Sequence, residues 1–186
     1  RCVGSGRQVG RSCVLLQTAG ARVLLDCGVD VASNTEPYPF LESPDFNIND
    51  LDAVIISHAH LDHSGLIPYL FKFGFDGPVY CTAPTRDVMA LLQLDLIKIT
   101  KNENREPLYT SEEVKEEMKR CVTLEFGEVS DITPDVRLTL YNSGHILGSS
   151  MTHLNIGNGA HNFMYTADMK YLKTRVLDPA HTKFPR

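Results

Sequence analysis

Asp52-Ala53-Val54-Ile55-Ile56-Ser57-His58-Ala59-His60-Leu61-Asp62-His63 is the most informative stretch of this chain. Its first half is a short, wholly apolar run, the pattern of a strand buried on both faces of a layered sheet. Its second half puts three imidazoles and a carboxylate into six residues, directly past that strand. Imidazole and carboxylate at this density suit Zn²⁺ or a similar borderline divalent ion, which such ligands grip at about 2.0–2.2 Å. A strand end aims a side chain rigidly, and a tight loop after it turns alternate residues toward different sides. His58 and His60 could then share one metal while Asp62 and His63 reach a second. The bland alternative is a polar loop with solvated histidines. With 7 histidines in the whole chain, three falling in six positions makes coincidence a poor explanation.

Upstream, Ser12-Cys13-Val14-Leu15-Leu16-Gln17-Thr18 and Arg22-Val23-Leu24-Leu25-Asp26 are β-rich, and Ala19-Gly20-Ala21 between them reads as a hairpin turn. A polar loop over 34–49 follows, punctuated by Pro37, Pro39 and Pro44. Downstream, Leu66, Ile67, Leu70 and Phe71 keep helical spacing up to Gly74, and 78–81 reads as another short strand. Thr82 caps a helix that Pro84 helps to start, with Val88, Leu91, Leu92, Leu96 and Ile99 as its core stripe. Thr110-Ser111-Glu112-Glu113 is a capping box opening a charged helix to about Arg120, whose acids over 112–117 read as a solvated face. Residues 122–126, 136–142, 151–156 and 162–166 return to β, with Gly157-Asn158-Gly159 as a hairpin turn between the last two. Strands, then strand–helix alternation, then strands predict an α/β architecture of two packed sheets with helices outside.

Three further strand ends deliver a His or an Asp: Leu24-Leu25-Asp26-Cys27-Gly28, Asn142-Ser143-Gly144-His145-Ile146-Leu147-Gly148 and Tyr165-Thr166-Ala167-Asp168. Each alone is more often a turn former or a structural polar group. Four such ends at one sheet edge would build a site.

The composition, 42% hydrophobic and 22% charged over 186 residues, is that of a globular protein and excludes disorder and a coiled coil. A net charge of −5 offers no bulk attraction for nucleic acid, so a polyanion would need a metal, local basic groups or protein outside this chain. Arg7, Arg11, Lys170, Lys173 and Arg175 could contact a backbone phosphate, although solvated surface charge is the commoner reading of such residues. No apolar run reaches the roughly 18 residues of a membrane span, and no signal-peptide pattern opens the chain. Five cysteines without close pairing point to a reduced, intracellular (cytoplasmic, or nuclear in a eukaryote) protein in which Cys27 is a buried packing residue. Arg1 in place of Met suggests a piece of a longer polypeptide.

Taken in order, Asp26, His58-x-His60-x-Asp62-His63, His145 and Asp168 resemble the metallo-β-lactamase superfamily. Gly10-Arg11-Ser12, Gly144-His145-Ile146-Leu147-Gly148-Ser149 and Thr166-Ala167-Asp168-Met169-Lys170 are most similar to its RNA-processing branch, the β-CASP nucleases, and within it to archaeal homologues of the cleavage and polyadenylation specificity factor nuclease. The resemblance spans essentially the whole chain. It implies an αββα sandwich of which residues 1–186 are the N-terminal portion of the metallo-β-lactamase domain. A β-CASP domain is expected after 186 and RNA-binding KH modules before 1.

By the same resemblance, His58, His60 and His145 hold one zinc, Asp62 and His63 the other, and Asp168 bridges both. Asp26 orients a ligand histidine through its ring N–H. Asp62 also holds the attacking hydroxide, and Asp26 and Asp62 are the residues assigned to catalysis. The implied activity is zinc-dependent RNA hydrolysis in 3′-end processing or decay, endonucleolytic with a 5′–3′ exonuclease component, leaving a 3′-hydroxyl and a 5′-phosphate. RNA is the expected partner, and the parent is expected as a homodimer. The branch also carries a later acid and two later histidines, one completing the second zinc site. His153, His161 and His181 do not sit in matching contexts, so this chain alone is expected to bind zinc weakly or at one site and to cut RNA poorly. Tyr171 and Phe184 are expected at the junction with the following domain. The alternatives are a glyoxalase-II-like thioesterase on the same scaffold and a non-catalytic scaffold subunit of an RNA-processing complex.

Overall fold

The expected N-terminal hairpin forms as β1 (Val14–Gln17) and β2 (Arg22–Leu25), antiparallel with Val14 opposite Leu25. The structure, a computed structural model, describes all residues except Ser5, Arg7, Gln8, Asn34, Pro44, Asp45, Pro185 and Arg186. Arg7 and two markers of the predicted loop, Asn34 and Pro44, therefore lie outside the described residues. The rest of that loop is irregular apart from one 3₁₀ turn, Ile48–Asp50, capped by Asn47.

The chain then alternates strands with helices: β3 (Ala53–Ile55), α1 (Leu61–Ser64), α2 (Ile67–Lys72), β4 (Val79–Cys81), α3 (Ala83–Asn102), α4 (Ser111–Arg120) and β5 (Cys121–Thr123). These strands make one sheet in the order β1-β2-β3-β4-β5, in which every neighbour from β2 onward is parallel. A second sheet, β6 (Val129–Thr133), β7 (Val136–Asn142), β8 (Ser150–Ile156) and β9 (His161–Tyr165), is an antiparallel meander.

The apolar run at β3 is buried on both faces because two different cores claim its alternate residues. Val54 and Ile56 join Leu24, Val79, Leu66, Ile67, Leu70 and Met89 on the helix side. Ala53 and Ile55 join Val23 and Leu25 against Val136, Leu138, Leu140 and Leu154 of the second sheet. The described helices gather on the first sheet, and the core between the sheets contains none of their residues. The described residues thus form helix, sheet and sheet layers, without the fourth, helical layer of an αββα sandwich. On the outer face of β7 the His181 ring stacks on Tyr141, with ring centroids 4.8 Å apart. Phe184, expected at a domain junction, also packs edge-on against Tyr141.

Two expectations need correction, and one strand was not expected. On α3 the fully inward row is Thr85, Met89, Gln93 and Ile97; Leu92 and Leu96 are only half-buried, and Leu91 is 67% exposed, with Val88 and Ile99 also exposed. Polar residues can take the inward row because backbone carbonyls await them: Thr85 Oγ1 donates to Gly148 O and Gln93 Nε2 to Ser64 O, both at 3.0 Å. On α4 the capping box of Thr110 and Glu113 is present, but Glu117 is fully buried rather than solvated, held by Gln93 Nε2 at 3.2 Å. Strand β6 escaped notice because it is a partly exposed edge with polar residues and a register shift between Asp131 and Thr133.

Candidate metal centre

The four marked strand ends converge on one edge of the two sheets, past the C-terminal ends of the parallel strands, where open α/β sheets generally build sites. Asp26 leaves β2 in the left-handed region (φ 56°). Its successors pair with the histidine loop: Cys27 N donates to His63 O, Val29 N to Leu61 O and Leu66 N to Cys27 O, each at 2.8 Å. The approach at Gly28 is so close that a Cβ there would lie 1.8 Å from Asp62 O. The loop after β3, read as a tight turn, forms the helix α1, which carries Asp62 and His63.

His145 is set by its own loop. Ser149 Oγ accepts from His145 N and Ile146 N at 3.1 Å, and Ser150 N donates to Ser57 O at 2.8 Å, tying the second sheet to the end of β3.

At the centre, His58 Nε2 is 3.1 Å from His60 Nδ1, which is 3.3 Å from His145 Nε2. Asp168 Oδ2 is 3.5 Å from His145 Nε2 and 4.0 Å from His58 Nε2. Four ligand atoms on a tetrahedral ion at about 2.0–2.1 Å lie about 3.3 Å from one another. The donor atoms of His58, His60, His145 and Asp168, all within 4.8 Å of one another, approach that polyhedron and could hold a metal ion. Next to them, His63 Nε2 is 3.6 Å from Asp62 Oδ2 and 3.7 Å from Asp168 Oδ1. All seven sequence-predicted residues are brought together here.

The layer behind the cluster is buried and fully bonded. Asp26 Oδ1 accepts from Ser57 N–H at 2.7 Å; its Oδ2 accepts from the Ser57 hydroxyl (2.7 Å), faces His63 Nδ1 (2.7 Å) and accepts from the Tyr165 hydroxyl (2.9 Å). Burial pushes the Asp26 carboxyl up, but the facing His63 and the donors from Ser57 outweigh it and hold it below its ordinary value. Burial pushes His63 down, yet Asp26, Asp62 and Asp168 leave it raised. His58 is driven down to about 3, by burial first and then by His63. It is therefore neutral, and Ser57 Oγ lies 3.0 Å from its Nδ1. Because the hydroxyl proton points at Asp26, Oγ accepts from Nδ1–H, which leaves the Nε2 lone pair facing the cluster. Burial, opposed by Asp168, also lowers His145.

Ser57 and Tyr165 were not singled out in the sequence; the signal available was their place at the inner ends of two strands that carry His58 and Asp168. Arg11, a candidate phosphate contact, is buried and paired with Glu36 at 2.7 Å, so it is not such a contact. Cys27 is fully buried as expected. His153 bonds Asn162 and His181 stacks on Tyr141.

A family model described as the metallo-beta-lactamase superfamily domain matches residues 15–184. The chain belongs to the metallo-β-lactamase superfamily. Among curated members, the transcription termination factor FttA of Methanothermobacter thermautotrophicus is 57% identical over 186 residues, 99% of this chain and 29% of its own length. The FttA proteins of Methanocaldococcus jannaschii and Lokiarchaeum sp. are 51% and 52% identical, again over 99% of this chain and 29% of theirs. The chain thus spans under a third of these archaeal relatives. In fold it resembles the Cronobacter sakazakii metallo-β-lactamase with a HARLDQ motif (TM-score 0.58, 18% identity, covering 87% of this chain and 54% of that one). It also resembles MEM-A1, a subclass B3 metallo-β-lactamase from a soil metagenome (TM-score 0.57, 19% identity, 91% and 63%). No helix among the described residues is long and apolar enough to cross a membrane.

Proposed function

We propose that this superfamily member is the metal-binding catalytic segment of a zinc-dependent ribonuclease of the β-CASP branch, acting in the cytoplasm with two zinc ions in the complete protein. The observation that carries this reading is the placement of Asp168. Its Oδ2 faces His145 and His58 while its Oδ1 faces His63, so one carboxylate joins two groups of donors.

His58, His60 and His145 would hold one cation, Asp62 and His63 the other, with Asp168 between them. A pair of divalent cations supplies Lewis acidity, acidifying water near neutral pH and neutralising phosphate oxygens. The protein's own groups do the positioning. Asp26 keeps the His63 Nδ1 proton turned away from the cluster, and Ser57 does the same for His58. Asp62, whose side chain is partly open to solvent, orients the attacking water toward phosphorus and accepts its proton as the P–O3′ bond breaks; that proton passes through solvent to the leaving 3′ oxygen, giving a 3′-hydroxyl and a 5′-phosphate.

The FttA relatives are named as transcription termination factors, which supports RNA as the substrate class and cleavage of a transcript as the event. The presence in this chain of every His and Asp donor expected of its span weighs against a non-catalytic scaffold.

The test is metal analysis of the full-length protein paired with cleavage of a labelled RNA, with and without chelator. Cleavage should vanish on chelation, return with zinc, and be abolished in a folded His60→Ala variant. Unimpaired cleavage in that variant, or turnover of a thioester but not of RNA, overturns the reading.

A further inference from the structure

Residues 169–186 hold five cations, Lys170, Lys173, Arg175, Lys183 and Arg186, against one acid, Asp178, in a chain with 18 Lys and Arg against 23 Asp and Glu. Local inversion of an acidic chain's charge gives the segment an attraction for polyanions that the rest of the surface lacks. Two structural facts sharpen it.

The first is pairing. Elsewhere cations are commonly neutralised, as in Arg22–Asp50, Arg86–Asp87, Lys115–Glu112, and Arg137–Asp131. In the terminal segment Lys173 lies 3.3 Å from Asp178, but Lys170, Arg175 and Lys183 have no carboxylate within 4.0 Å among the described residues.

The second is place. The segment begins at Asp168 and is strapped across the His145 loop: Lys170 N donates to Ser143 O, Ala180 N to Lys170 O and His181 N to Asn142 O, at 2.8–2.9 Å. Gly144, next to His145, is so close that a Cβ would lie 2.7 Å from Lys170 O. Between the cations, Tyr171 (63% exposed) and Leu172 (75% exposed) stand in solvent. Unpaired cations interleaved with a free aromatic ring are the elements of a single-strand surface: charges for phosphates and a face on which a base stacks.

We propose that the strap over residues 169–184 is a track for the phosphate backbone of single-stranded RNA leading into the His/Asp cluster. It extends the ribonuclease reading and rests on it for the identity of the polyanion.

The experiment uses the full-length protein and a K170Q/R175Q/K183Q variant, all three side chains being exposed. Binding of a fluorescein-labelled oligouridylate is followed by anisotropy across a salt series in chelator, and hydrolysis of bis(4-nitrophenyl) phosphate is followed with zinc. Each lost phosphate contact lowers the slope of log K against log salt by about 0.7 for single strands, so the variant's slope should fall by roughly 2. Affinity at low salt should drop at least about tenfold, while hydrolysis of the small diester, which has no polynucleotide backbone to lie along the strap, stays unchanged. An unaltered slope overturns the track, and so does equal loss of small-diester hydrolysis, which would mean that the substitutions disturb the cluster itself. A wild-type protein that binds the oligonucleotide through the strap yet hydrolyses neither substrate retains the track and rejects the ribonuclease reading.

Discussion

The Tyr165 hydroxyl donates to Asp26 Oδ2 at 2.9 Å, joining the last strand of the second sheet to a carboxylate at the end of β2 in the first. Tyr165 lies three residues before Asp168, so this bond also fixes where the chain departs toward the cluster. Burial and the neighbouring Asp26 push the phenol pKa up, keeping the donor proton in place. Tyr165→Phe should lower unfolding free energy by about 1.5–3 kcal/mol, the usual worth of a hydrogen bond to a charged group. Urea denaturation of the two forms measures it; equal midpoints would show that the bond contributes nothing.

Ser57→Ala should lower metal affinity as well as stability, because Ser57 Oγ both donates to Asp26 Oδ2 at 2.7 Å and orients His58. Without Oγ, His58 Nδ1 has no acceptor at 3.0 Å and the ring no longer holds its Nε2 lone pair toward His60. Loss of such an orienting partner weakens metal binding by about 10–100-fold. Competition with a chromophoric chelator reads the affinity, and ¹⁵N shifts of the metal-free protein read the tautomer. A His58 ring still held as the Nδ1–H tautomer in the variant would contradict this role.

Zinc titration of this chain should give unequal sites. His58, His60, His145 and Asp168 offer four donor atoms, whereas the neighbouring group adds only Asp62 and His63 to the shared Asp168. The first equivalent should bind tightly and the second weakly, in calorimetry and in metal content after desalting. Two equally tight equivalents would refute it.

Gly28→Ala should unfold the site rather than tune it. The new Cβ would meet Asp62 O at 1.8 Å and His63 N at 2.5 Å, and both are backbone atoms that cannot rotate away. A loss on the order of 3–5 kcal/mol is expected from such strain, together with loss of metal binding. A soluble variant with the parent melting temperature would show that the loop yields.

Glu117→Gln should stabilise the protein at neutral pH. Burial raises the Glu117 carboxyl well above its ordinary 4.5, and its Oε2 has no hydrogen-bond partner. Below pH 4.5 both folded and unfolded chains hold the proton; above it the unfolded chain releases it first, so stability falls as pH rises toward the folded value. The variant removes that slope. Its advantage should be about 1–3 kcal/mol near pH 7.5 and absent near pH 4, by thermal melts at both.

The His58 to His63 spacing and the three other strand-end residues were legible in the chain because metal-binding chemistry needs those side-chain types, and a strand end is announced by the apolar run before it. The caps at Thr82 and Thr110 were legible for a similar reason: each is a local contract between residues three apart. What escaped was decided across the fold. Whether Gln93 or Leu91 faces the core depends on where Ser64 O lies, 29 residues away, and Glu117 is buried because Gln93 is there to meet it. The convergence of Asp26, His58, His145 and Asp168 is likewise a tertiary fact. One-dimensional order records which side chains are available, but only the pairing of two sheets sets which of them share a few ångströms of space.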